Sequence, residues 1–282
     1  MGSLIGYGDE ATGVRPMLAV VVPAMNEAAR IQGVLRSALK IPADLVIPVL
    51  NGCTDMTAEM VRRVPDSRIR PIHFREPLGL DVPRIAGAQE ALKAGARAVL
   101  FVDGDLEGPI QSRLTILTTQ VKKGALDLAL SDCYSGTPVP SRQSLARQVY
   151  THRVALNEAL NRRDLGAAMP SHGPVAVSRK LLEAIPLSSL GVPPLMQAHA
   201  CRAGLKVGVG VCIPHQELGS TKRDREHRQR VAETIIGDCL QATAVAEGRP
   251  GDRGGYDGYH RERRFDLVGL NAPEGVTPVS RE

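Results

Sequence analysis

Two aspartates separated by one glycine, Asp103-Gly104-Asp105, follow the apolar run AVLFV. Carboxylates at positions i and i+2, with a glycine that permits a sharp turn, can present oxygen ligands to one hard divalent cation. Mg²⁺ typically takes one or two carboxylates together with the phosphate oxygens of a substrate. A cation held there would neutralise a diphosphate leaving group. The alternative is an ordinary solvated turn, so the surroundings of the pair have to decide.

Two further polar clusters follow apolar runs earlier in the chain: PAMNE at residues 23–27 and NGCTD at residues 51–55. Both stand where a strand is expected to give way to a helix, so each offers free backbone amides that can hold a base or a ribose. The simpler interpretation is helix capping, by Asn26 in the first cluster and by Thr54 or Asp55 in the second.

Short apolar runs alternate with segments of helical periodicity through the first half of the chain. Strands are predicted at residues 17–23, 44–51, 68–74, 98–103 and 126–132, with helices between them. This alternation predicts an α/β fold with a mainly parallel, doubly wound sheet. Ligands of such sheets bind at the carboxyl ends of the strands, so all three polar clusters should meet on one rim.

The second half has a less regular pattern. A loop rich in Ser, Pro and Gly is predicted at residues 133–144, then a helix at 145–162 and a strand at 173–178. A helix at 192–204, a strand at 206–214 and a helix at 224–247 follow. From residue 248 the chain is rich in Gly and Arg, which predicts a flexible tail or a lid that orders on binding.

The composition excludes several classes of protein. The five cysteines are scattered without a CxxC pair, which argues against a zinc knuckle or a disulfide framework and favours a reducing cytoplasm. No apolar run approaches the ~20 residues of a membrane span, and no signal peptide is evident. Aromatic residues make up 3% and Trp is absent, which disfavours a nucleic-acid surface. The net charge of +5 suits ligands that carry phosphate.

The order PAMNE, NGCTD, a helix that begins near a basic residue, then FVDGD resembles the nucleotide-diphospho-sugar glycosyltransferases of the GT-A fold. Within them the chain is most similar to the family-2 type and to the glucosyl-3-phosphoglycerate synthases. The resemblance covers residues 17–106 and continues more faintly through SHGPVAVSRKLLEAIP to the helix near residue 235. It implies a Rossmann-like α/β sheet with helices on both faces and an acceptor-binding C-terminal half.

The resemblance also implies which residues bind the donor. Those expected at the nucleotide-sugar are Pro23, Met25, Asn26, Glu27, Asn51, Cys53, Arg84, Asp103, Gly104 and Asp105. Of these, Asp105 would ligate Mg²⁺ or Mn²⁺ and Arg84 would meet the diphosphate, so both are the expected catalytic residues. A histidine after a late strand often completes the metal shell in such enzymes, which makes His215 the candidate and His227 the second choice.

Some positions depart from the family pattern. Pro193 replaces an acidic residue of the glucosyl-3-phosphoglycerate synthases, which puts a phosphoglycerate acceptor in doubt. Glu217 and His172 are the only candidates for a general base, so inverting and retaining stereochemistry both stay open. The basic run STKRDREHRQR at residues 220–230 offers Arg side chains to an acceptor phosphate or carboxylate, or forms a solvated helix face.

These features predict a cytoplasmic, metal-dependent glycosyltransferase that passes a sugar from UDP-glucose or a related UDP-sugar to a small polar or phosphorylated acceptor. The expected organisation is a flexible tail at 1–15, a nucleotide-sugar-binding half at 16–132, an acceptor-binding half at 133–247, and the tail or lid at 248–282. A catalytically inactive nucleotide-sugar-binding protein and a polyprenyl-phosphate glycosyltransferase remain alternatives. A nucleotidyltransferase is disfavoured, because PAMNEAARI lacks its Gly-rich basic signature. The oligomeric state stays open, with a homodimer as one candidate.

Overall fold

A mixed sheet organises the computed structural model of the protein, which describes residues 17–220 and 224–273. Its strands are β1 (Leu18–Ala24), β2 (Leu45–Asn51), β3 (Ile72–Phe74), β4 (Ala98–Phe101), β5 (Leu128–Asp132), β6 (Val175–Ser178) and β7 (Val207–Cys212). Their order across the sheet is β3-β2-β1-β4-β6-β5-β7. All neighbours are parallel except β6, which runs antiparallel to both β4 and β5. This is the predicted Rossmann-like α/β architecture of the GT-A fold.

The central strands are apolar on both faces because helices cover both sides of the sheet. Along β1, Ala19 and Val21 face one core, whereas Leu18, Val20 and Val22 face the other. Side chains alternate between the two faces of a strand, so one run of apolar residues supplies both cores.

Eight α-helices within the described ranges pack around the sheet. They are α1 (Ile31–Lys40), α2 (Thr57–Arg62), α3 (Val82–Lys93), α4 (Gln111–Lys122), α5 (Leu145–Ala159), α6 (Arg179–Ala184), α7 (Pro193–Arg202) and α8 (Arg225–Ala246). Buried residues of α1, α2 and α4 belong to one core, and those of α3, α6, α7 and the second half of α8 to the other, while the first half of α8 packs with α5 in a small third cluster. A short 3₁₀ helix, His215–Leu218, follows β7. None of the described helices is long and apolar enough to cross a membrane.

Helix α1 does not begin at Asn26, so the prediction that Asn26 caps it is wrong. The helix begins at Ile31, and Asn26 adopts a left-handed conformation with φ 57°. Its side-chain oxygen accepts a hydrogen bond from the Thr54 amide instead, at 2.8 Å. Helix α2 likewise begins at Thr57 after Met56, and Asp55 accepts a hydrogen bond from the Thr57 amide. The polar side chains therefore tie the two loops together or stabilise a turn.

Residues 249–273, most of the expected C-terminal tail, pack on the body of the protein. The rest of that tail, 274–282, and the expected N-terminal tail, 1–15, lie outside the described residues. Within the packed part, Phe265 belongs to the core beside α3 and Gly191, with 3% of its surface exposed. Three polar side chains of this segment are also buried: Arg253, His260 and Arg263. An apolar anchor and buried charges hold this Gly- and Arg-rich segment in place.

Candidate functional site

The DGD turn packs directly against the end of β1. The Gly104 amide donates a hydrogen bond of 2.9 Å to the Pro23 carbonyl. A Cβ atom at residue 104 would lie 2.8 Å from that same carbonyl oxygen, so only glycine permits this approach. The turn therefore places Asp103 and Asp105 beside the PAMNE loop, at the point where the strand order reverses between β1 and β4.

The NGCTD loop reaches the PAMNE loop from the other side of β1. In addition to the bond between Asn26 and the Thr54 amide, the Cys53 thiol lies 3.4 Å from the Ala24 carbonyl oxygen, to which it donates. The buried Glu27 donates its amide to the Thr57 hydroxyl at 2.8 Å. Met25 remains 46% exposed at the rim. The three polar clusters therefore meet at the carboxyl end of the sheet.

Asn51, which stands at the end of β2, is buried and holds a neighbouring loop in place. Its side-chain oxygen accepts a hydrogen bond of 2.6 Å from the Leu78 amide, and its Nδ2 donates to the Gly79 carbonyl at 3.4 Å. Both polar atoms of the side chain are used by the backbone of the loop that leads into α3. Asn51 therefore fixes the position of the 78–79 backbone next to the site.

Arg84 lies beneath the DGD turn, with only 6% of its side chain exposed. Its NH2 group is 3.3 Å from Asp103 Oδ1, and its NH1 group donates to the Pro170 carbonyl at 2.9 Å. Its Nε lies 3.4 Å from Asp81. Because these partners occupy the guanidinium, Arg84 couples the DGD turn to the segment that precedes β6.

The chain beyond the DGD turn contacts the 3₁₀ helix His215–Leu218. The Gly108 amide donates a hydrogen bond of 3.0 Å to the Leu218 carbonyl. Arg113, at the start of α4, lies 3.7 Å from the Glu217 carboxylate and donates to the Cys212 carbonyl. These contacts place the His215 helix next to the loop that carries Asp105.

His215 is exposed, and its Nδ1 lies 3.2 Å from Nε2 of His172, at hydrogen-bond distance. Burial lowers the pKa of both histidines, and the positive charge of Arg153 lowers them further. Both imidazoles are therefore neutral at pH 7, which is the form that binds metal ions. His172 keeps a buried Nδ1 for which the described residues provide no partner.

No three His, Cys, Asp or Glu side chains of residues 17–220 and 224–273 come together as a group that could hold a metal ion. A preformed three-ligand centre is thus absent from the described residues. A Mg²⁺ or Mn²⁺ ion that takes one or two protein ligands and completes its shell with diphosphate and water does not need such a group. Asp105 and His215 lie on segments that contact each other through Gly108 and Leu218.

Comparison with known proteins identifies the family. The model of the family described as "Glycosyl transferase family 2" matches residues 19–185, more than half of the chain. The chain belongs to glycosyl transferase family 2. It is a glycosyltransferase of the nucleotide-sugar-dependent kind, and the matched region contains all three polar clusters.

Solved structures support the fold of this family 2 glycosyltransferase. One is glucosyl-3-phosphoglycerate synthase from Mycobacterium tuberculosis in complex with phosphoglyceric acid, with 23% identity, a TM-score of 0.61, and coverage of 83% of this chain and 81% of that one. Another is the same synthase with Mn²⁺, uridine diphosphate and glucosyl-3-phosphoglycerate, with 21% identity, a TM-score of 0.60 and 88% of each chain covered. No curated protein sequence matches the chain.

The basic run of the family 2 glycosyltransferase is only partly described, because residues 221–223 lie outside the described ranges. His227, the second candidate for a metal ligand, has its Nδ1 2.8 Å from the Tyr259 hydroxyl. Arg230 lies over the ring of the same tyrosine, 3.9 Å from its centroid, and pairs with Glu262. These described side chains of the run therefore contact the C-terminal segment.

Arg153 on α5 is a buried cation that sequence reasoning missed. It is 2% exposed, and it donates to the Tyr134 hydroxyl at 2.9 Å and to Ser171. Its Nε has no partner, and no carboxylate of the described residues pairs with it. Its role is not readable from sequence spacing, because residues 134, 153 and 171 meet only through the fold.

A cavity of about 610 Å³ lies at the opposite end of β4, near Arg97 and Ala98. Two of its basic side chains, Arg179 and Lys180, are paired with Glu183 and Asp127. It is remote from the carboxyl ends of the parallel strands, where ligands of doubly wound sheets bind. We therefore assign the candidate site to the rim with the three polar clusters.

Proposed function

We propose that this chain transfers the sugar of a UDP-sugar, UDP-glucose or a relative, to a small polar acceptor that carries an anionic group. The observation that carries the proposal is the meeting of the PAMNE, NGCTD and DGD clusters around the end of β1. The order of these clusters along the chain is that of the family, and the TM-score of 0.60 supports comparison with a synthase solved with uridine diphosphate and Mn²⁺.

In this proposal the uracil and ribose contact the rim formed by Pro23, Met25, Asn26 and Cys53, with Asp103 facing the ribose and Glu27 and Asn51 supporting the loops. Asp105 and His215 would hold Mg²⁺ or Mn²⁺, which would supply positive charge to the departing diphosphate. The contact of His215 with His172 orients the imidazole, as hydrogen-bonded neighbours commonly do for metal-ligating histidines. Arg84 acts indirectly, because its guanidinium positions Asp103.

The acceptor is placed on the side of Arg153. A buried cation without a carboxylate partner is costly, so its retention favours an anionic ligand nearby. Arg153 donates to the Tyr134 hydroxyl, whose own hydrogen therefore points to another acceptor. A carboxylate or phosphate that accepts this hydrogen would bring the acceptor next to His172. The acceptor hydroxyl oxygen then forms its new bond to the anomeric carbon as that carbon's bond to the diphosphate breaks, and the hydroxyl proton passes to a base, for which His172 is the candidate.

Binding of UDP with and without Mn²⁺ tests the donor. At a ligand concentration about a hundred times Kd, bound ligand adds ~2.7 kcal/mol to the free energy of unfolding, a shift of about 5–10 °C in Tm. Release of UDP from UDP-glucose, with phosphoglyceric acid and with uncharged glycerol as acceptors, then tests transfer and the need for an anion.

The matched pair of variants is Asp105→Asn and Glu107→Gln. Each removes one carboxylate charge from the same turn, but only Asp105 is assigned to the metal. Asp105→Asn should abolish the Mn²⁺-dependent part of UDP binding and of turnover, whereas Glu107→Gln should leave both near the wild-type level. Equal activity of the two variants would remove the metal assignment. A wild-type protein that binds no UDP with Mn²⁺ would remove the proposed donor.

A further inference from the structure

Side chains of alternating charge, all largely buried except Asp103, connect the C-terminal segment to the DGD turn. We call them the charge chain, and in order they are Arg253, Asp238, Arg263, Asp81, Arg84 and Asp103. Each neighbouring pair lies within 4 Å. The two ends belong to parts of the sequence 150 residues apart, so only the fold brings them into one line.

Arg263 stands at the centre of the charge chain and has no exposed side-chain surface. Its NH2 group lies 2.7 Å from Asp238 and 3.6 Å from Asp81. Its NH1 group also contacts Nδ1 of His260, at 3.4 Å. A buried charge is tolerated only when it is paired and hydrogen-bonded, so each of these carboxylates requires its guanidinium neighbours.

Asp81 links Arg263 to Arg84, which contacts Asp103 in the DGD turn. It sits at the start of α3 with φ 65°, a left-handed conformation that Asp and Asn tolerate better than most residues. Burial raises the pKa of its carboxyl to about 6, although Arg84 and Arg263 oppose that rise. At pH 7 the side chain is thus mainly ionised and holds both guanidiniums. Arg84 in turn reaches Asp103 and the Pro170 carbonyl.

A second set of contacts joins the same two regions. Arg263 donates through Nε to the Leu80 carbonyl at 3.2 Å, and the Arg264 amide donates to the Leu78 carbonyl at 2.8 Å. A Cβ atom at Gly79 would lie 2.5 Å from the Glu262 carbonyl oxygen. The loop at residues 78–80 is therefore clamped between the C-terminal segment and Asn51, whose side chain holds its other edge.

We infer that Arg263 is a positioning residue for the nucleotide-sugar donor, acting through Asp81 on Arg84 and Asp103 and through the 78–80 loop on Asn51. This inference rests on the proposed function, because it takes the rim at β1 as the donor site. The C-terminal segment accordingly stays packed against the loops of the donor site and supports them. A merely structural brace would change stability and leave donor affinity untouched.

The test measures the Kd of UDP-glucose in the presence of Mn²⁺, well below the Tm of each variant. Arg263→Gln should weaken donor binding about tenfold, while the neighbouring Arg264→Gln should not, because Arg264 pairs with Glu76 and Asp266 near the surface. Arg263→Lys, which keeps the charge and loses the fork of donors, should lie between wild type and Gln. The KM for the acceptor should change less than the donor Kd.

Asp81→Asn keeps a side chain that tolerates the left-handed conformation and removes only the charge. It should weaken donor binding as Arg263→Gln does, and the double variant should lose no more than the weaker-binding single variant, since both interrupt one chain. If Arg263→Gln does not fold, Asp81→Asn alone decides. A folded Asp81→Asn or Arg263→Gln variant with wild-type donor affinity overturns the inference. Failure of the wild type itself to bind UDP-glucose would instead refute the proposed function.

Discussion

The contact between Gly108 and the 3₁₀ helix at Glu217 can be broken by adding one methyl group. Gly108 is not among the described glycines with positive φ, so alanine is compatible with its backbone conformation. The new Cβ atom, however, would lie 1.8 Å from the Glu217 carbonyl oxygen and 2.8 Å from the Leu218 carbonyl oxygen. Both are backbone atoms, so no rotation of a side chain relieves the overlap. Gly108→Ala must push the helix that carries His215 away from the DGD loop.

The cost has two parts. The hydrogen bond from the Gly108 amide to the Leu218 carbonyl is lost, which costs ~1 kcal/mol. Overpacking of a well-packed contact adds ~1–3 kcal/mol. If Asp105 and His215 share a metal ion, binding of that ion must bring their two segments back together. Metal-dependent donor binding is then weakened by this total of about 2–4 kcal/mol. Since 1.4 kcal/mol is a factor of ten, we expect a weakening of about thirtyfold or more.

Calorimetric titration of UDP, with and without Mn²⁺, measures this effect. The Mn²⁺-dependent gain in UDP affinity should disappear in Gly108→Ala, and binding of UDP alone should change less. Gly33→Ala is the matched control on α1. Its Cβ atom would meet only the flexible end of the Glu107 side chain, 2.7 Å away, and alanine favours the helix by ~1 kcal/mol. A folded Gly108→Ala variant with UDP–Mn²⁺ affinity within threefold of wild type would refute the shared metal site.

Three further variants test separate features. Arg153→Gln should raise the KM for an anionic acceptor at least tenfold and leave the donor Kd unchanged, whereas Arg147→Gln, on the same helix, should change neither. Phe265→Ala should lower the free energy of unfolding in urea by about 3–5 kcal/mol, because it empties a core position, and a loosely attached tail would show no change. Burial and the positive charges of Arg253 and Arg263 lower the pKa of His260 to about 4 in the folded protein. The unfolded chain therefore binds a proton at this residue at a higher pH than the folded protein does. As a result, the contribution of His260 to the free energy of unfolding falls as the pH drops from 6.5 to 4. His260→Gln should make that loss smaller in unfolding curves recorded across this range, and an unchanged pH dependence would contradict the buried, neutral imidazole.

The carboxyl-end rim was predictable because it depends on local pattern alone. Apolar runs that stop at PAMNE, NGCTD and DGD are visible in the sequence, and parallel strands bring such ends to one side. The antiparallel direction of β6 was not predictable from GPVAVS, because direction depends on the path of the chain before the strand. The family resemblance was needed to predict the fold, because members of one family share the order and direction of their strands.

Side-chain partners were less predictable than positions. Asn26 has the residue type of a helix cap, yet it bonds to a loop 28 residues away. Arg84 was expected at the diphosphate, and the structure places its guanidinium among Asp81, Asp103 and the Pro170 carbonyl. Its role at the diphosphate remains a prediction. Such partners are chosen by tertiary proximity, which spacing along the chain does not encode.

The C-terminal segment shows a different limit of sequence reasoning. Gly- and Arg-rich composition predicts a flexible tail or a lid that orders on binding, because such a segment has few apolar residues with which to form a core. In the folded protein Arg253 and Arg263 are buried against Asp238, Arg263 also lies close to Asp81, and Phe265 fills a space beside α3. The composition of a segment describes its behaviour in isolation. It does not show which carboxylates in distant parts of the chain will pair with its arginines.

The same arrangement has a consequence for biosynthesis. A polypeptide leaves the ribosome from its N-terminus, so the loops at residues 23–27, 51–55 and 103–105 emerge long before Arg263. Until that arginine arrives, Asp81 has only Arg84 and Asp238 only Arg253 as a guanidinium partner, and the 78–80 loop lacks the contacts that Arg263 and Arg264 provide. The donor rim proposed at β1 would thus receive its support from the C-terminal segment only after Arg263 has been synthesised, and products terminated before that residue would bind nucleotide-sugar weakly.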